Sequence, residues 1–126
     1  MQQNLKSNLK IYKAIKQVFE IYKNYKFKLE NQDLLRKSHL QLDDERVEKI
    51  SDFIKLVDAA MRQLSKEERG ILKMSFLDKV HYSECNCSQS TFFIKRKIAC
   101  HKLYDLIFVK AQWHEIEQTF YSLKIN

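Results

Sequence analysis

One glycine, Gly70, and no proline in 126 residues constrain this chain more than any motif it carries. Sandwiches and barrels reverse direction many times, and their turns draw heavily on glycine and proline. A chain this poor in both is not expected to build an all-β fold. Glycine-rich phosphate loops and dinucleotide fingerprints need several glycines in a short span, so they are excluded too. Hydrophobic residues make up 44% and aromatics 12%, enough buried apolar surface to offset chain entropy, which argues against disorder. The length suits one domain with a real core. Residues 1–126 are therefore expected to form a single all-α domain, a helical bundle with long N- and C-terminal helices.

Hydrophobic spacing locates four helical stretches. From about Asn4 to Lys28, Leu5, Leu9, Tyr12, Ile15, Phe19 and Tyr22 recur three or four apart, the spacing of one helix face. Ile11, Val18, Ile21 and Tyr25 widen that arc. Residues 30–42 break the pattern and read as a connector with one turn around Leu34–Leu35. A second helix begins near Asp43 or Asp44, either of which can cap it, and Val47, Ile50, Ile54, Val57, Met61 and Leu64 form a stripe that must face another helix. Ser65-Lys-Glu-Glu68 is a capping box opening a third helix over roughly Lys66 to Leu77. Gly70 lies inside it at a cost of about 1 kcal/mol relative to alanine, and close approach of a crossing helix is the expected compensation. After a polar stretch from Asp78 to Cys87, Ser88 reads as an N-cap. From there Ala99, Leu103, Leu106, Val109, Trp113, Ile116, Phe120 and Leu123 keep the helical period to the end, with a kink expected near Lys110.

The net charge of +7 is unevenly spread. Residues 1–30 carry seven lysines against Glu20 and Glu30, residues 31–80 balance, and residues 81–126 hold six basic against four acidic groups. Basic ends on a small helical protein point toward nucleic acid as partner. Cys85, Cys87 and Cys100 are an odd number without a secretory signal, so free thiols and a cytoplasmic setting are expected. No apolar run approaches the roughly 20 residues that span a bilayer, so no membrane association is expected.

The stretch Leu64–Tyr104 carries the functional signal. Leu64-Ser-Lys-Glu-Glu-Arg-Gly-Ile-Leu72 and Ser88-Gln-Ser-Thr-Phe-Phe93, followed by Lys95-Arg96-Lys97-Ile98-Ala99-Cys-His-Lys-Leu103, resemble the helix-turn-helix of sigma-70 region 4. The pattern is closer still to phage-type transcription regulators of the ArpU kind. The resemblance covers about a third of the chain. It implies a helix-turn-helix over residues 64–104, a packing or dimerisation helix over residues 105–126, and double-stranded DNA as partner, without catalysis or a cofactor. The chain departs from the pattern in three places: the stretch between Leu77 and Ser88 is short, leaving about one turn at Tyr82–Asn86; the usual turn glycine is absent; and Lys95 stands where an aliphatic residue is usual.

Elementary geometry gives the same helix a role. Its N-terminal amides suit a phosphate. At 100° per residue, Phe92, Phe93, Ala99, Cys100, Leu103, Tyr104 and Ile107 fall on a core arc, and Ser90, Thr91, Lys95, Lys97, His101 and Lys102 on an outer one. Ile94 and Ile98 fall nominally outside, so either the helix is rotated or they pack under the first or last helix. The expected DNA-binding residues are Ser88, Gln89, Ser90, Thr91, Lys95, Arg96, Lys97 and Lys102. Gln89 suits adenine, Ser90 and Thr91 touch bases with little selectivity, and the cations hold phosphates.

Other chemistries use some of the same residues. His81, Cys85, Cys87, Cys100 and His101 offer zinc donors, but Cys-x-Cys is a poor chelate and buried small cysteines explain them as well, so no metal site is expected. Arg96-x₄-His101 resembles the motif of HEPN-type ribonucleases, in which a histidine moves a proton and an arginine steadies a phosphate. A helical interaction module, for instance one associated with RNA polymerase, would use the 3–4 stripes instead. A homodimer through the terminal helices would set two recognition helices on successive turns of DNA.

Overall fold

The computed structural model describes residues 2–37, 44–84 and 87–110, with side chains from residue 7 onward. Among these the chain is all-α, with no strand. Five α-helices follow one another: α1 (Gln2–Glu30), α2 (Gln32–Lys37), α3 (Asp44–Arg62), α4 (Lys66–Leu72) and α5 (Gln89–Tyr104). A π-helical stretch, Lys73–Leu77, continues α4, a 3₁₀ turn occupies Tyr82–Glu84, and a second π-helical stretch, Asp105–Lys110, continues α5. No helix among the described residues is long and apolar enough to cross a membrane.

α1 is the spine, packing against α3, α5 and the first π stretch. Its buried residues are Ile15, Val18, Phe19, Ile21, Tyr22 and Tyr25. Leu9, expected on the buried face, is 54% exposed, because the face turns toward Val18, Ile21 and Tyr25 where α3 and α5 meet the helix. α3 contributes Ile50, Phe53, Val57, Ala60 and Met61. Phe53 and Ala60 replace Val47 and Ile54 in the seam, both of which are only half-buried. The core closes with Ala99, Cys100, Leu103 and Ile107 from the last helical stretch. Phe19 stacks on Phe76 with ring centroids 5.5 Å apart and planes 8° from parallel, and Tyr12 meets the same ring at 5.5 Å.

Both serine caps form. Ser65 Oγ accepts from Glu68 N at 3.1 Å while Glu68 Oε1 accepts from Ser65 N at 2.9 Å, the reciprocal pair of a capping box. Gly70 is a correction: no neighbour lies within 4 Å of where its Cβ would stand, so no helix crosses it closely. The chain reverses after the π stretch without glycine. Lys79 adopts φ 52, and Val80 N donates to Met74 O at 2.8 Å. The left-handed residue resembles the Schellman ending that usually employs glycine, but the closing bond is one residue wider than the Schellman six-to-one bond, as follows from the widened π turn before it.

Asp43, Cys85 and the stretch 111–126 lie outside the described residues. So do the calls made on them: Trp113, Ile116, Phe120 and Leu123 in the final stripe, and the packing or dimerisation role of residues 105–126 beyond Lys110.

Candidate nucleic-acid interface

The N-terminus of α5 is fixed by Ser88, whose φ of −68 and ψ of 160 take the chain out of the helix. Its Oγ accepts from Thr91 N at 3.2 Å and lies 2.9 Å from Thr91 Oγ1 and 3.3 Å from Ser90 Oγ. Ser88 and Thr91 are thus committed to the cap, whereas Gln89 and Ser90, in the first turn between them, are exposed. On the far side Phe92, Ala99, Cys100 and Leu103 are buried. α4 also packs along α5, so the helix is gripped from two sides and leaves one strip to solvent.

Gln89, Ser90, Ile94, Lys97 and Ile98 form the middle of that strip, with Phe93 and Lys102 exposed at its margins. Ile94 is 59% and Ile98 47% exposed. They are therefore not packed under α1, and the helix is not rotated to bury them. The inner arc is smaller than its sequence suggests, since Phe93 is also largely exposed.

The expected phosphate ligands divide into three kinds. Lys97 is exposed and makes no ion pair among the described residues. Lys95 Nζ lies 3.0 Å from Glu67 Oε1, and Lys102 Nζ lies 2.7 Å from Glu68 Oε2, so both reach across to the first turn of α4. The hydrogen bond from Lys102, then that from the Ser65 backbone, holds the Glu68 carboxyl below its usual range. Arg96 turns the other way, its guanidinium carbon 4.8 Å from the Tyr12 ring centre and 4.6 Å from that of Phe93.

Arg96 and His101 do not converge. Five residues of α-helix separate them by about 140° around the axis, and Arg96 is taken up by Tyr12 and Phe93. The His101 Nε2 is buried with no hydrogen-bond partner among the described residues. No group of three potential metal ligands comes together among the described residues. Cys100 is buried, and desolvation pushes its thiol up to about 12, so it stays protonated at neutral pH.

One feature of the surface escaped the sequence reading. Between α1, the reversal after the π stretch and the start of α5 lies an open cleft of about 600 Å³. Tyr12, Lys16, Lys79, His81 and Tyr82 join Gln89, Phe92, Phe93 and Arg96 around it. The density of aromatics at Tyr82, Phe92 and Phe93 was a local signal, but the pairing of Arg96 with Tyr12 is a tertiary fact that no spacing reveals.

No family model, curated protein or solved structure matches this chain.

Proposed function

We propose that the chain is a cytoplasmic, non-catalytic regulator of transcription that binds double-stranded DNA with α5 in the major groove. The observation carrying this reading is the solvent-facing strip of α5, a helix pinned to the bundle on its other sides. A recognition helix needs such a strip, with its N-terminal side chains clear of the fold and its back held rigid. Gln89 suits adenine, Ser90 either base edge, and Ile94 a thymine methyl. Lys97 reaches phosphate directly. Lys95 and Lys102 exchange Glu67 and Glu68 for phosphate on binding, while Ser88, Thr91 and Arg96 serve mainly to position the helix.

A salt titration of duplex binding tests this. Affinity falls steeply with salt in the wild type, and Lys97→Ala flattens the logarithmic slope by about 1. Absence of duplex binding at low salt overturns the reading.

The exposed Ile94 and Ile98 favour a second reading, a helical protein–protein module. Replacing both with serine separates the two. Loss of sequence discrimination with an unchanged salt slope supports DNA; loss of self-association or polymerase binding, with no duplex affinity to lose, supports the module.

A further inference from the structure

The cleft beside α5 brings cations and aromatic rings together at one open surface. Arg96 lines it with its guanidinium carbon 4.8 Å from the Tyr12 ring centre and 4.6 Å from that of Phe93, and with no ion pair or hydrogen bond among the described residues. Ring contacts leave the N–H groups of a guanidinium able to meet a phosphate or carboxylate. Lys16 and Lys79 line the same cleft, and neither makes an ion pair among the described residues. Glu20 is the one acid along the wall among the described residues, so their cations exceed it three to one. The walls are aromatic: the His81 and Tyr82 rings lie 4.2 Å apart, and Tyr82 and Phe93 lie 5.9 Å apart. Lys79, finally, reaches the cleft from a left-handed backbone position that a glycine would occupy more easily.

We infer that this cleft binds a planar aromatic anion of mononucleotide size. Its charged group meets Arg96, Lys16 and Lys79, and its ring packs against the aromatic wall formed by His81, Tyr82 and Phe93. The volume of about 600 Å³ lies within the range of small-ligand clefts. Each element answers one part of such a ligand: the cations answer the charge and the rings answer the plane. Gln89, Phe93 and Arg96 belong to α5, so occupation fixes the side chains at the start of that helix. Ligand binding itself does not depend on the DNA reading; only its effect on DNA affinity does.

The test is an NMR titration of the full chain with adenosine 5′-monophosphate, alongside adenosine and inorganic phosphate. The expected result is shift changes confined to residues lining the cleft, with each half-ligand at least about 10-fold weaker than the whole. Lys16→Ala with Lys79→Ala weakens the nucleotide by about 10-fold or more. Lys79→Gly, which relieves the backbone, keeps the fold intact if the double variant does not and is expected to weaken the nucleotide too. No shift at about 5 mM nucleotide overturns the inference, as does adenosine binding as tightly as the nucleotide. A single-stranded tetranucleotide binding more than about 10-fold tighter than the nucleotide also overturns it, since the site then belongs to a strand.

Discussion

Lys79 sits at φ 52, a conformation that costs an L-residue about 1–2 kcal/mol, while the chain's single glycine lies in α4 with open space around its missing Cβ. Two substitutions with opposite chemistry are therefore both expected to stabilise. Gly70→Ala gains about 0.8–1 kcal/mol from helix propensity. Lys79→Gly gains about 0.5–1 kcal/mol, the relief of the left-handed strain outweighing the added freedom of the unfolded chain. Urea unfolding of each variant checks both, and a loss of stability in Gly70→Ala would reveal a neighbour that the open space denies. Cys100 supplies a chemical counterpart. Its thiol is buried and pushed up to about 12 by desolvation, whereas Cys87 is only half-buried. Since the thiolate is the reacting form, alkylation of the native protein near pH 8 should modify Cys87 well before Cys100. Peptide mass spectrometry reads the order, and denaturant should abolish it. The burial of Cys100 was legible from its place on the core arc. The left-handed Lys79 was not, because it depends on where the π stretch ends, and nothing in Leu77-Asp-Lys-Val80 marks that point.

At the scale of elements, the two serine caps were legible because each uses groups within three residues of one another. The π stretch Lys73–Leu77 was not. Asp78 N donates to Lys73 O at 2.8 Å, a widened turn that accompanies the stacking of Phe76 on Phe19 of a different helix. The junction between α4 and α5 carries a pH-dependent link through Glu68, which is at once half of the capping box and the partner of Lys102. Its carboxyl is held below the usual range, chiefly by Lys102. A group depressed in the folded state contributes stability that is fully present above its unfolded value of about 4.3 and is lost as pH falls through the folded value. Wild-type protein should therefore lose thermal stability on acidification below about pH 4 more steeply than Glu68→Gln. Melting curves followed by circular dichroism across that window decide it. Parallel acid profiles for the two proteins would mean that the Lys102 contact contributes nothing.

For the whole molecule, the expectation of one helical bundle was legible because the absence of glycine and proline leaves few other architectures, and because a 3–4 hydrophobic period survives along most of the chain. Its candidate interface was legible only in part. Gln89, Ser90 and Lys97 stand clear as spacing suggests, but Glu67 and Glu68 capture two of the expected cations and Tyr12 captures a third. Those partners come from other helices, so a wheel drawn on one helix cannot show them. The same cross-helix packing sets the cooperativity of the fold. Phe19 is 1% exposed and joins α1 to the π stretch through Phe76, while α1 also contacts α3 and α5. Truncating a buried phenylalanine to alanine costs about 3–5 kcal/mol, set against a total of about 5–15 kcal/mol for a domain of ordinary stability. Phe19→Ala should therefore lower the urea midpoint of the entire described bundle. The far-UV helical signal and the near-UV aromatic signal should be lost together in one transition. If α5 keeps its helix after the α1–α3 pair has melted, the two signals will separate. α5 would then owe its order to α4 alone, and the spine assigned to α1 would be wrong.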